Sequence, residues 1–478
     1  VHETHVSVVF LVGDRALKLK RAVEYPFLDL STPARREWAC RREVELNRRL
    51  APDVYLGVAE IVGPDGAVCD HVVVMRRMPD ERRMSTLVTA GAVRDDDLTA
   101  LARLLAAFHA RAETSPTIAA AGTCAAVRHR WEAGFAEIAP FVGTLVDPTA
   151  EEEIEARARR YLDGRGPLFA ARVAQGRVVD GHGDLLAGDV FLLDDGPRVL
   201  DCLEFDDELR YGDVLADVAF LAMDLERLGA PEHAARFLAD YRRLAGETHP
   251  VSLEHHYVAF RAHIRAKVAC LGDDPNRAEA ARTLMELACA HLRRAQVVLV
   301  LLGGGPGTGK STVAAGLAAR QGWTVLRSDE VRKDLAGIAH TERVTAAVGT
   351  GIYDDASTAA TYATLLARAR TLLEHGESVI LDATWGDAAR REQARAMARE
   401  VAADVVELRC DAPAPVVAER VALRTRAGDD VSDATVDVAR AVTADADPWP
   451  TAVVVDTAGA RDAAVDAAAR AVEPPATP

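Results

Sequence analysis

The chain has 478 residues, more than one ordinary hydrophobic core accommodates, so two or three domains are expected. A formal net charge of -16 argues against a general nucleic-acid or anionic-membrane binder, and 49% hydrophobic residues supply material for globular cores. Seven scattered cysteines without a C-x-x-C pair, no secretory leader and no membrane-length apolar run lead to the expectation of a cytoplasmic protein without a membrane partner. The chain begins at Val1 rather than Met, so residues ahead of it are expected to be missing or processed. Arginine supplies nearly all the basic residues; the only lysines are Lys18, Lys20, Lys267, Lys310 and Lys333. A compact ammonium kept in such a chain marks places where a point charge matters. Lys310 is one, and Lys18 or Lys20 another.

In chain order, residues 6–12 read as a strand, Gly13-Asp14 as a turn and residues 16–20 as a second strand. Thr32-Pro33 opens a helix to about residue 50 that carries Glu43. Residues 68–75 form another strand, closed by Arg76-Arg77-Met78-Pro79. Strand, lysine strand, glutamate helix, strand and hinge is the order of a protein-kinase small lobe, here residues 1–80. In that order Lys18 or Lys20 pairs with Glu43 and presents its ammonium to nucleotide phosphates.

Residues 81–292 read as a larger, mainly helical lobe. A helix over 97–112 buries Leu98, Leu101, Leu104, Leu105 and Phe108. Two short strands then flank His182-Gly183-Asp184-Leu185, and the second leads into Leu200-Asp201 and Glu204. On these residues the segment resembles the aminoglycoside phosphotransferase family, which has a protein-kinase-like fold. The resemblance implies that Asp184 orients or deprotonates an acceptor hydroxyl and that Asp201 holds Mg²⁺. It also implies that Asp217 supports the catalytic loop structurally. Phosphoryl transfer needs one carboxylate at the nucleophile and another at the metal. The chain departs from the family in two ways. Asp189 stands where the metal-binding Asn is expected, and Thr4-His5-Val6-Ser7 is a poor substitute for a Gly-rich flap. Further on, Arg261, Arg265 and Val268 fall near one helical face. That basic stripe reads either as an anion site or as a solvated face.

In residues 293–478, an apolar run over 297–302 leads into Gly303-Gly304-Gly305-Pro306-Gly307-Thr308-Gly309-Lys310-Ser311-Thr312. From Gly304 this spells G-x-x-x-x-G-K-S before an Ala-rich helix, the pattern of a phosphate-binding loop. Gly304, Gly305, Gly307 and Gly309 let backbone N–H groups point inward with those of Thr308 and Thr312. Lys310 would reach the β- and γ-phosphates, and Ser311 would ligate Mg²⁺. Strands over 323–326, 378–384, 405–409 and 452–456 alternate with helices over 356–375, 387–400 and 415–426, which implies a parallel sheet covered by helices. Residues 296–460 resemble the small P-loop kinases of the gluconate kinase, chloramphenicol phosphotransferase and zeta toxin group. The resemblance implies that Asp329 faces the acceptor hydroxyl, Arg332 holds substrate and Asp382 orders Mg²⁺. It places Arg420, Arg424 and Arg426 on a lid that stabilises the transferring phosphoryl. The plainer alternatives are that Asp329 caps a helix starting at Val331 and that the arginines pair with Asp429 and Asp430. Gly428-Asp429-Asp430 reads as a mobile lid turn and residues 473–478 as a disordered tail.

The expected fold is thus α+β and α/β: a kinase-like bilobal domain followed by a P-loop NTPase domain. The combination resembles a bacterial fusion family joining these two halves. It implies an ATP- and Mg²⁺-dependent phosphotransferase for an unidentified small-molecule acceptor, with the P-loop half the leading site. The alternative is a regulatory ATPase with a pseudokinase sensor.

Overall fold

Alternating apolar residues pair Ser7–Val12 with Arg15–Lys20 as an antiparallel hairpin, with Val9 opposite Lys18. Gly13 closes it at φ 58°, a left-handed turn position suited to glycine. The computed structural model describes residues 2–3, 6–25, 28–272, 274–340, 342, 350–427 and 444–473, with the side chains of 2, 3, 25, 28 and 424–427 left out. They fall into two units. One comprises the described parts of Val1–Ala156, Phe169–His249 and Leu253–Leu292; the other comprises those of Arg157–Leu168, Pro250–Ser252 and Arg293–Pro478.

In the first unit a five-stranded antiparallel sheet runs His2–Glu3, Ser7–Val12, Arg15–Lys20, Val68–Arg76, Tyr55–Val62. The first described strand has two residues. Tyr55–Val62 was not anticipated. A register shift between Tyr55 and Gly57 breaks the alternation that would have revealed it. Helix Pro33–Asn47 begins where Thr32 accepts a hydrogen bond from Arg35 N and Pro33 presets the first turn. Its Cys40 and Val44 pack with Ala16, Tyr55, Val73 and Met75. That packing fixes the height of Glu43 against the lysine strand.

The larger lobe is helical. Val214–Arg227 is buried continuously from Val214 to Leu225, so it is a core helix rather than an amphipathic surface one. Two antiparallel pairs, Val178–Asp180 with Tyr211–Asp213 and Val190–Leu193 with Gly196–Val199, bracket the loop between Asp180 and Val190.

The second unit carries a five-stranded parallel sheet in the order Thr324–Arg327, Val379–Asp382, Val298–Gly303, Asp404–Asp411, Val453–Asp456. Val298–Gly303 is central and buried at every position, as a strand covered on both faces must be. Val298, Val300 and Leu302 pack with Val313 and Leu317 of Lys310–Gln321 and with Ala464 and Ala468 of Arg461–Val472. Among the described residues, no helix is long and apolar enough to cross a membrane.

Candidate functional site

Lys18 and Lys20 lie two apart on one strand, so both side chains leave the same face. That face meets Glu43. Lys18 Nζ is 2.9 Å from Glu43 Oε1 and 2.5 Å from Asp201 Oδ1. Lys20 Nζ is 2.6 Å from Glu43 Oε2 and also pairs with Glu204. The choice between the two lysines becomes a division of labour. Lys20, 2% exposed, locks Glu43 to Glu204. Lys18 keeps 13% of its side chain exposed and stands between Glu43 and Asp201. Burial disfavours both ammoniums, but the carboxylates around them outweigh it and raise both pKa values.

Asp201 sits at φ 62°, an unfavourable conformation for a residue with a Cβ. The small lobe holds it there. Asp201 N donates to Tyr55 Oη at 3.1 Å, and Cys202 N donates to Asn47 Oδ1 at 2.8 Å. Lys18 first of all holds the Asp201 carboxyl below the usual carboxylate range. The preceding loop is anchored from beneath, as the family resemblance implied. Asp217 accepts from His182 N at 2.7 Å and Gly183 N at 2.9 Å, and lies 3.1 Å from His109 Nε2. His109 Nδ1 in turn meets Tyr241 Oη at 2.8 Å. On this platform Asp184 and Asp189 join Asp201. Burial raises the Asp184 pKa, with Asp201 adding to it and Arg265 opposing. Burial, then Asp201 and Asp184, pushes Asp189 well up. Asp184 and Asp189 thus both feel the charge of Asp201, which is itself paired with Lys18. Among the described residues no three His, Cys, Asp or Glu side chains form a metal cage. Mg²⁺ does not need one, since it is held by one or two carboxylates plus phosphates and water.

The second centre is built from backbone. Gly304, Gly307 and Gly309 have φ of 132°, 82° and 85°. A Cβ on Gly304 would stand 2.5 Å from Cys410 O, and one on Gly307 would stand 2.8 Å from Val421 Cγ2. Glycine is therefore required at both positions for conformation and for space. Thr308 Oγ1 donates to Gly305 O at 2.8 Å, Thr312 N donates to Gly309 O at 3.1 Å, and Lys310 Nζ lies 3.0 Å from Gly305 O. Helix Lys310–Gln321 starts directly on the loop, and the N–H groups of Gly309, Lys310 and Ser311 find no acceptor among the described residues. Such N–H groups at a helix start form an anion site. Arg420 Nη2 donates to Thr457 O at 2.6 Å, while its buried Nη1, beside Gly309, finds no partner among the described residues. A phosphate oxygen fits this unspent donor.

Ser311 Oγ donates to Asp382 Oδ2 at 2.7 Å, which joins the loop to the end of the neighbouring strand Val379–Asp382. One hydroxyl and one carboxylate in contact suit an Mg²⁺ that takes its other ligands from phosphate and water. Arg327 Nη2 also reaches Ser311 Oγ at 3.2 Å. Helix Ser328–Ala336 begins earlier than the sequence suggested, so Asp329 lies in its first turn and does not cap it. Burial raises the Asp329 pKa; Asp382 adds to this and Lys310 opposes it. Arg332 donates from Nη1 to Ile352 O at 2.7 Å and Thr358 Oγ1 at 3.1 Å, while its buried Nε finds no partner among the described residues. The side chains of Arg424 and Arg426 lie outside the described residues, as do Gly428-Asp429-Asp430 and residues 474–478.

Several supporting residues escaped sequence reasoning. Glu204 carries a spacing signal, three residues after Asp201. Tyr55 and Asn47 carry none, because their partners are about 150 residues away. Trp385, fully buried at φ 52°, holds the turn after Asp382 by donating from Nε1 to Leu381 O at 3.1 Å.

Two phosphate-type centres, one in each unit, define a chain of phosphotransferase construction. A model of the phosphotransferase enzyme family matches residues 9–256, and a model described as an AAA domain matches residues 299–448. The chain belongs to the phosphotransferase enzyme family, with an aminoglycoside phosphotransferase-like N-terminal half and a P-loop C-terminal half. Uncharacterized proteins of Mycobacterium tuberculosis and Mycobacterium bovis are 44% identical to it over 468 residues, covering 97% of this chain and 93% of theirs. Among solved structures, the GDP complex of aminoglycoside 2'-phosphotransferase-IIIa aligns at 14% identity and a TM-score of 0.39, over 61% of this chain and 91% of its own. A gluconokinase from Sinorhizobium meliloti aligns at 20% identity and a TM-score of 0.26, over 37% of this chain and 92% of its own.

Proposed function

We propose that the chain is a cytoplasmic, ATP-dependent phosphotransferase acting on a hydroxyl of a small molecule: a sugar, polyol, antibiotic or nucleotide sugar. The P-loop unit carries the leading site and the kinase-like unit a second one. The observation that carries this reading is the Ser311–Asp382 contact at 2.7 Å beside Lys310 and Asp329. It unites a phosphate cradle, a metal-type pair and an acceptor-side carboxylate in one unit.

In the P-loop unit the open N–H groups, Lys310 and the spare Arg420 donor would bind the ATP phosphates. Ser311 and Asp382 would hold Mg²⁺, as Asp201 and Asp189 would in the kinase-like unit. When bound, the ion neutralises charge on the phosphate oxygens. Asp329 takes the proton of the acceptor hydroxyl while that oxygen bonds to the γ-phosphorus and the bond to the β–γ bridging oxygen breaks. Its raised pKa makes it a stronger base than an ordinary carboxylate. Arg424 belongs with Arg420 on the lid of this site. In the kinase-like unit Lys18, positioned by Glu43, meets the phosphates and Asp184 meets the acceptor.

One observation favours a second reading, a regulatory ATPase with an N-terminal pseudokinase sensor. Asp189 adds a third carboxylate beside Asp184 and Asp201 where the family places an uncharged Asn. Phosphoryl transfer from radiolabelled ATP to a pool of hydroxylated small molecules separates the two. Transfer abolished by Lys310→Ala and retained by Asp184→Ala places the chemistry in the P-loop unit. Transfer that survives both Lys310→Ala and Ser311→Ala removes that assignment.

A further inference from the structure

A pocket of about 180 Å³ lies in the kinase-like unit, against the underside of the loop that carries Asp184. Gly181 and Asp217 form part of its wall, and Asp217 is the group that holds His182 and Gly183. The other walls come from helix Cys124–Ile138, from helix Val251–Leu271 and from the stretch around Tyr211. Each wall derives from a distant part of the sequence, so no motif announces the pocket.

Its charges do not balance. Every acidic side chain in the wall is already engaged. Glu137 pairs with Lys267 at 2.5 Å. Asp213 takes both Nε and Nη2 of Arg172, at 2.8 and 2.6 Å. Asp217 is held by His109 and two backbone N–H groups. Of the basic side chains, Lys267 is taken by Glu137, and Arg210 by Asp180 and Asp207. Arg130 and Arg261 remain. Arg130 donates from Nη2 to Tyr211 O at 2.8 Å, and Arg261 from Nε to Ala216 O at 3.0 Å. Neither meets a carboxylate among the described residues. Arg261 also lies over the Phe220 ring at 4.6 Å and 5.8 Å from the centre of the Phe260 ring. Each guanidinium is thus positioned by one hydrogen bond and keeps further N–H groups unspent. Burial lowers the pKa of both arginines, more than Glu208 raises that of Arg130 or Asp217 and Asp184 raise that of Arg261. A half-buried cation with no carboxylate in hydrogen-bond reach gains from a ligand that supplies one. Arg261 and Arg265 are also the two arginines whose charge bears on Asp184, which links this helix to the acceptor carboxylate.

We propose that this pocket binds a small organic anion, a phosphate or carboxylate on a planar body, with Arg130 and Arg261 on the anionic group and Tyr211, Tyr257 and Phe260 against the body. The proposal rests on the reading of Asp184 as the acceptor-side carboxylate and makes the anion part of that site's acceptor. The basic stripe seen in the sequence thereby gains an occupant. Arg261 enters the pocket wall, and the charge of Arg265 acts on Asp184.

The test uses the full chain and three matched probes: 4-nitrophenyl phosphate, neutral 4-nitrobenzyl alcohol and cationic 4-nitrobenzylamine, titrated calorimetrically. The phosphate is expected to bind about tenfold or more tightly than the other two, the scale of charge-assisted hydrogen bonds, and to weaken as salt is raised. Arg130→Gln and Arg261→Lys should each weaken it by a similar factor. Arg130→Gln leaves the Phe220 stack untouched, and the three-probe comparison on the unaltered chain needs no variant to fold. Equal binding of the three probes, or a preference for the cation, overturns the proposal, as does phosphate binding indifferent to Arg130→Gln. Asp184→Asn separates the anion pocket from the catalytic role of Asp184: it should leave probe binding intact. Selective binding in a chain whose transfer ignores Asp184→Asn would refute the catalytic reading of Asp184 while sustaining the anion pocket.

Discussion

The two phosphate-type centres are made of different material. In the P-loop unit, recognition is written in backbone: glycines at positive φ, open N–H groups at a helix start and one Ser311–Asp382 contact. In the kinase-like unit it is written in side chains: Lys18, Lys20, Glu43, Asp201 and Glu204 form a lattice of ion pairs between strand, helix and loop. Backbone recognition depends on a contiguous segment and is locally determined. A side-chain lattice depends on the whole small lobe being packed correctly. The two centres should therefore fail in different ways when perturbed.

The largest expected difference lies in the acceptor carboxylates. Asp329→Asn should lower kcat by about 10²–10⁴-fold, the usual contribution of a general base, and leave nucleotide affinity unchanged. Steady-state kinetics beside a nucleotide titration checks this, and a matching loss of affinity would mean that Asp329 binds rather than reacts. Next is the lysine pair. Lys20→Met leaves Glu204 without its lysine and Glu43 with Lys18 alone around a nearly inaccessible position, and should cost about 3–5 kcal/mol of unfolding free energy. Lys18→Met leaves Glu43 paired with Lys20, so it should be milder in stability and should weaken nucleotide binding. Denaturant unfolding of both variants decides; the reverse order would break the division of labour between them.

The smallest effect is a pH signature confined to the kinase-like unit. Glu247 feels a burial penalty, but His249 and Arg172 hold its pKa down at about 2, below the ordinary 4.5. Its contribution is present above 4.5 and lost as pH falls toward 2. His249 is raised above its ordinary 6.5 because Glu247 and Glu254 outweigh its burial. That contribution is complete below 6.5 and lost as pH rises through the folded value. The Glu247–His249 pair should therefore contribute most between about 4.5 and 6.5, and His249→Gln should flatten the alkaline side of the curve. Denaturation midpoints measured across pH test both limbs.

The same contrast decides what could be read in advance. Gly304 to Thr312 was legible because its chemistry is local, and the alternating strands and helices around it implied the parallel sheet. Asp184, Asp201 and Asp217 were legible through family resemblance, since their spacing alone is a polar turn. Tyr55–Val62 was hidden by a bulge at Gly57. The split between Lys18 and Lys20 was hidden because equivalent positions on one strand face differ only in what lies opposite them. The spare donor of Arg420 and the unbalanced arginines at 130 and 261 arise only when remote segments meet.

The central claim, two nucleotide sites of different construction on one chain, is tested most directly by equilibrium titration with a non-hydrolysable ATP analogue and Mg²⁺. The account predicts two equivalents bound per chain, one after Lys310→Ala, and none after Lys310→Ala combined with Lys18→Met. A single equivalent on the unaltered chain, unaffected by Lys310→Ala, would contradict it.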